Sequence, residues 1–169
     1  MLKKIKKILD IKEAILIDNG STDSTIKELR KIKAQGIKVK IYQNKKNSGY
    51  GEGFSKAFMK SKMPIVITIH ADLQFDLINF SKKNKQMIYY CIKNNINIFP
   101  KRVKREFLSN VRSFILRIIL SVINFVKVID FNGHPKFLKR SDFENMSFYA
   151  STFAFDLSLD IWLLKKNKK

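Results

Sequence analysis

Three short segments carry the residues that could do chemistry. In Ile17-Asp18-Asn19-Gly20-Ser21-Thr22-Asp23 a carboxylate ends an apolar run and a cap-rich turn follows. A carboxylate there can accept a hydrogen bond from a ribose hydroxyl or a base N–H, and the free N–H groups of a following helix start favour an anion. The same residue types are preferred helix caps, so a plain turn is the competing reading. In Asn47-Ser48-Gly49-Tyr50-Gly51-Glu52-Gly53 the glycines let a backbone approach a ligand closely, or simply make a flexible turn. The segment lacks the spacing of a phosphate-binding P-loop. His70-Ala71-Asp72-Leu73-Gln74 follows the most β-branched run of the chain. A carboxylate just past a buried strand must face solvent, a partner or a metal. Asp72 and the Gln74 carbonyl are oxygen ligands that suit Mg²⁺ or Mn²⁺, ions that take one or two protein carboxylates plus substrate phosphates. The plainer alternative makes Asp72 a cap.

The elements that must hold these segments follow from spacing. Leu2, Ile5, Ile8 and Leu9 predict an amphipathic helix over 2–10. Strands are predicted at 14–18, 37–43, 65–70 and 96–99, and helices at 23–34, 54–62, 77–94, 105–127 and 151–166. Thr25 and Glu28 have the spacing of a capping box. Alternating strands and helices imply a mostly parallel α/β sheet with helices on both faces. Parallel strands put their carboxyl ends on one edge, where such sheets bind ligands. Asp18, the glycine turn and His70 with Asp72 would then share one rim.

The 169 residues are read as a single domain, 1–169. With 45% hydrophobic residues and 14 Phe the chain is not a disordered tail. One cysteine excludes an intrachain disulfide, and Cys91, His70 and His134 cannot make a four-ligand zinc site by themselves. The formal net charge of +20 attracts phosphates and anionic lipid. Yet 28 of the 34 cations are Lys beside abundant Ile and Asn, a bias that AT-rich codons alone produce. With 6 Arg and no nucleic-acid-binding signature, nucleic acid is not the expected partner, although a basic nucleic-acid- or membrane-binding protein stays as an alternative. No signal peptide is read at the start. The stretch 107–129 is the most apolar, with a polar stripe of Asn110, Ser113, Arg117, Ser121 and Asn124. It reads as an interfacial helix over 105–127 lying on a membrane, with a buried core helix as the alternative.

Taken in order, AILIDNGSTDST, NSGYGEGFSKAF, IVITIHADLQFD, and DFNGHPKFLKR with FAFDLSLDIWLL behind it resemble glycosyltransferase family 2, inverting enzymes of the GT-A type. The likeness covers roughly residues 2–165 and is greatest to the branch of polyprenyl-phosphate sugar transferases such as dolichyl-phosphate mannosyltransferase. It implies a GT-A-like, Rossmann-related fold. It implies that Asp18 meets the donor nucleoside and that Ala71 lies against the donor through its backbone. Asp72 would hold Mg²⁺ or Mn²⁺ with Gln74 as helper. Arg102 and Lys136 would serve the acceptor, and Asp156 would be the base for a hydroxyl acceptor. The implied partners are a nucleotide-sugar donor and a polyprenyl-phosphate or glycan acceptor, in polysaccharide biosynthesis at the cytoplasmic, inner face of a membrane.

Three departures from the family pattern accompany the resemblance. His70 replaces the first aspartate of the D-x-D pattern. The first donor-binding strand is expected ahead of residue 1, and the later elements that many relatives carry are expected past Leu164. Little turnover is therefore expected from residues 1–169 by themselves, and a non-catalytic remnant or one half of a split transferase is the second reading.

Overall fold

In the computed structural model, residues 2–72, 75–101, 107–130, 133–146 and 150–166 are described, with the side chains of 107–110 left aside. Helix α1, Leu2–Leu9, buries Ile5, Ile8 and Leu9 and turns Lys3, Lys4 and Lys7 to solvent. Strand β1, Glu13–Asp18, leads through α2, Thr25–Arg30, to β2, Lys38–Gln43. β1 and β2 pair in parallel, from Glu13 opposite Lys38 to Asp18 opposite Gln43. Helix α3, Tyr50–Lys60, leads to β3, Ile65–Thr68. Then come α4, Leu77–Lys83, α5, Lys85–Lys93, and α6, Phe107–Asn124. Strand β4, Lys136–Lys139, runs into α7, Arg140–Glu144, and α8, Phe155–Lys166, follows.

The α/β class and the parallel β1–β2 pair are as the sequence predicts. Other elements differ. Lys136–Lys139 is a strand, and it pairs antiparallel with β3, Ile65 opposite Lys139. The segment 96–99 makes one bridge, Ile98 to Phe137, in place of a strand. The helix predicted over 77–94 is two helices that meet at Asn84, whose backbone N–H and side-chain amide both donate to the Phe80 carbonyl, at 3.0 and 2.8 Å. The capping box does not form. Thr25 is the first helical residue, and its N–H is taken by Asp23 Oδ1 at 2.9 Å.

Alternation along β4 splits the interior in two. Phe137 packs with Ile5, Ile8, Leu9, Leu77 and Ile88 on one face. Leu138 packs with Phe58, Phe143, Phe155, Leu159 and Leu163 on the other. Adjacent strand residues point to opposite faces, so one short strand supplies both cores.

The glycine turn has a structural task. α3 begins at Tyr50, so Gly51 and Gly53 lie inside the helix. Gly49 has φ +96°, and a Cβ there would stand 2.5 Å from the Ser151 carbonyl oxygen. A Cβ on Gly51 would stand 2.1 Å from the Ala150 carbonyl oxygen. The Gly51 N–H instead donates to Ser151 O at 2.7 Å. The close approach these glycines permit is to the chain's own 150–155 segment.

Candidate functional site

Four elements meet around Asp156, in the first turn of α8. The Tyr50 hydroxyl, from the start of α3, donates to Asp156 Oδ2 at 2.6 Å and lies 3.2 Å from His70 Nε2 just beyond β3. His134, two residues ahead of β4, places Nε2 3.4 Å from the same carboxylate. Lys136 is fully buried, with Nζ 3.0 Å from Asp156 Oδ1 and 2.7 Å from Asp160 Oδ1. Asp156 and Asp160 are four apart on one helix, hence on one face, and share that ammonium. The rings are layered: Tyr50 stacks on His70 with centroids 5.3 Å apart, and Phe153 stacks on Tyr50 at 5.4 Å. Phe153 stays 82% exposed at the mouth of this stack.

Burial and charge set the protonation. Burial, then the Asp156 carboxylate, pushes the Tyr50 hydroxyl well above the usual phenol range. Burial and the neighbouring His134 lower His70, which favours its neutral imidazole. Burial alone would raise Asp156, but the His134 hydrogen bond, Lys136 and the Tyr50 hydroxyl outweigh it and hold the carboxyl at about 2. Asp160 goes the other way: burial, with the charges of Asp156 and Asp130, outweighs Lys136 and pushes it up to about 7. A group that binds its proton more tightly folded than unfolded destabilises the fold as pH rises between the two pKa values. For Asp160 that window runs from 3.8 to about 7. Asp160→Asn is expected to flatten this part of the stability–pH profile, read as urea midpoints from pH 4 to 7.

The residues singled out in the sequence are placed as follows. Asp18 is 2% exposed; its Oδ1 accepts from Ser21 N–H at 3.1 Å, and its Oδ2 has no partner among the described residues. Asn19 ties this strand end to the glycine turn, donating to the Gly49 carbonyl at 3.0 Å and accepting from Asn44 at 2.8 Å. Through Gly49 and Tyr50 the end of β1 is joined to His70 beyond β3. Ala71 and Asp72 are exposed on that same turn, and the Asp72 charge acts on His70. Lys136 faces inward, so whatever it does for an acceptor it does through Asp156 and Asp160. Gln74 and Arg102 lie outside the described residues.

Tyr50, His134 and Asp160 were given no role from the sequence. Tyr50 is hidden inside the glycine turn. Asp160 was legible, because its spacing of four from Asp156 puts both on one face.

Helix α6 has its polarity turned outside in. Ser113, Arg117, Ser121 and Asn124 are half-buried, whereas Phe114, Ile119, Val122 and Ile123 are exposed. The chain turns at Phe125, φ +54°, and runs back along the polar stripe. Ser121 Oγ accepts from Val128 N–H at 3.0 Å, and Arg117 Nη1 donates to Ile129 O at 2.9 Å. The buried residues of α8 pack against Phe58, Leu138 and Phe143. No described helix is long and apolar enough to cross a membrane. On either side of the start of α6 in sequence, Lys101 and Arg112 are exposed, and Arg105 lies outside the described residues.

The sequence profile of glycosyl transferase family 2 matches residues 1–154. No curated protein matches the chain.

Proposed function

Since the chain belongs to glycosyltransferase family 2, whose members act on a nucleotide-sugar donor and an acceptor, we propose that it moves the sugar with inversion onto a polyprenyl phosphate at a membrane surface, as in the branch that includes dolichyl-phosphate mannosyltransferase. The observation that supports this is the chain of contacts that links the end of β1 through Asn19, Gly49 and Tyr50 to His70, beside Asp72, and to Asp156.

The nucleoside is assigned to Asp18, whose buried Oδ2 has no hydrogen-bond partner among the described residues and suits a ribose hydroxyl or base N–H. Ala71 offers its backbone to the donor. Asp72, exposed beside His70, fits a divalent ion, and with Gln74 it would hold Mg²⁺ or Mn²⁺. Such an ion neutralises charge on the leaving diphosphate. Arg102 is assigned to the acceptor phosphate. A phosphate attacks as an anion and needs no base.

Asp156 is the base assigned for a hydroxyl acceptor. Its carboxyl at about 2, held by Tyr50 and Lys136, makes it a weak one, and this favours the lipid phosphate. The outward apolar side of α6 supports the same choice, because it offers a surface on which a lipid acceptor is presented. The proposed site of action is peripheral, on the cytoplasmic face of a membrane. The second reading, one half of a split transferase, has one observation in its favour. Among the described residues, β1 and β3 each pair with a single strand.

The test is the anomeric configuration of the product, measured with enzyme in excess over donor so that slow transfer still accumulates. An α-linked donor and polyprenyl phosphate in liposomes are expected to give β-linked product. An α-linked product, or transfer to water alone, overturns the proposal.

A further inference from the structure

We infer that His70, His134 and Asp156 form a seat for a borderline transition-metal ion such as Zn²⁺ or Co²⁺, distinct from the rim position assigned to Asp72 and Gln74. One ligand atom from each of the three lies within 4.8 Å of the others. Ligands about 2.1 Å from a shared ion stand roughly 3.0–3.5 Å apart, so a modest inward movement completes the set. The three come from separate parts of the chain: the turn after β3, the entry to β4, and the first turn of α8. They converge without being neighbours in sequence.

The chemistry of the set matches such an ion better than Mg²⁺. Two imidazoles and one carboxylate are the donors that Zn²⁺ and Co²⁺ take, whereas Mg²⁺ prefers oxygen alone. Three protein ligands leave a position open.

His134 is buried, with 7% of its side chain exposed, and its Nε2 faces the Asp156 carboxylate at 3.4 Å. Its Nδ1, on the other side of the ring, has no partner among the described residues.

Lys136 is the competitor, because its ammonium already sits against Asp156 Oδ1. The Tyr50 hydroxyl, which His70 Nε2 meets, donates to the other oxygen, Oδ2, and His134 Nε2 stands 3.4 Å from both oxygens, so the ion enters on the Oδ2 side and Tyr50 gives up its hydrogen bond. Bound in this way, the ion ties β3, β4 and α8 together and raises the melting temperature of the whole chain.

The test is a titration of the 169-residue chain with Co²⁺, read by visible ligand-field absorption, and with Zn²⁺, read by imidazole ¹⁵N shifts and by melting temperature. One saturable equivalent is expected, displaced by Zn²⁺ and not by millimolar Mg²⁺. His134→Gln and His70→Gln are expected to weaken it at least about tenfold, with circular dichroism showing that each variant stays folded. Asp72→Asn is expected to leave it unchanged. If the variants fail to fold, the ¹⁵N shifts of both imidazoles in the unaltered chain decide the matter. Unshifted imidazoles, no saturable band, or a band that survives His134→Gln and disappears in Asp72→Asn overturns the seat. The transferase proposal does not depend on this result, since it places its ion at Asp72.

Discussion

Lys136→Met is expected to destabilise the chain by about 3–5 kcal/mol at pH 8, the cost of leaving buried carboxylates without their cation. Lys136 is fully buried, and both Asp156 and Asp160 are within 3.0 Å of its ammonium. Removing the ammonium leaves two acidic groups facing each other in an interior that hydrates neither. The fold can respond only by protonating one of them. Asp160, already pushed up to about 7, is the group that will take the proton. The loss should therefore be smaller at pH 5 than at pH 8. Adding Asp160→Asn to Lys136→Met should recover part of it at pH 8. Urea unfolding of the two single variants and the double variant, at both pH values, measures the coupling. A cost under about 1 kcal/mol at pH 8, or one that does not change with pH, would show that this cluster is open to water.

Leu116→Ser, Ile119→Ser and Ile123→Ser, made together, should release the chain from anionic vesicles. These side chains are 41%, 47% and 66% exposed on the outward side of α6. Withdrawing one such chain fully from water is worth about 1.5–3 kcal/mol, so partial insertion of three is worth about 2–4 kcal/mol. That is more than tenfold in partitioning. Nearby exposed cations, Lys101 and Arg112, add attraction to an anionic leaflet, about 1 kcal/mol each. Because these three side chains already face outward, the substitutions leave the two cores untouched. Vesicle flotation with increasing salt separates the two contributions: charge fades with salt, apolar insertion does not. Equal flotation of the variant and the unaltered chain, or none at all, would turn the acceptor assignment toward a soluble glycan.

Much of the architecture was legible because it rests on local periodicity. Ile5, Ile8 and Leu9 mark α1, and the β-branched run before His70 marks β3. The rim was expected from one parallel sheet, whereas the described strands form two two-stranded sheets, and the ends of β1 and β3 are linked by Asn19, Gly49 and Tyr50 instead. What could not be read was set by distant partners. Lys136–Lys139 is a strand because β3 offers it an edge, and four residues carry too little pattern to announce that. The glycines at 49 and 51 signalled a close approach, but nothing local said that the visitor was residues 150–151. The orientation of α6 was ambiguous for a related reason. Its polar stripe could face water or protein, and Ser121 and Arg117 chose the returning segment 125–130. The site itself was half legible. Asp18, Asp72 and Asp156 stand out as carboxylates at element ends. Tyr50 and His134 acquire their roles only when α3 and β4 bring them to one carboxylate.

The central claim, that the linked ends of β1 and β3 hold the nucleotide of a sugar donor, is tested most directly by calorimetric titration of uridine and guanosine diphosphates, with and without Mn²⁺. A saturable heat is expected with one of the two nucleotides. It should require Mn²⁺, disappear in Asp72→Asn and weaken in Asp18→Ala, while both variants keep their circular dichroism. No heat with either nucleotide, or a heat unchanged by removing Mn²⁺ and by both substitutions, would contradict the account.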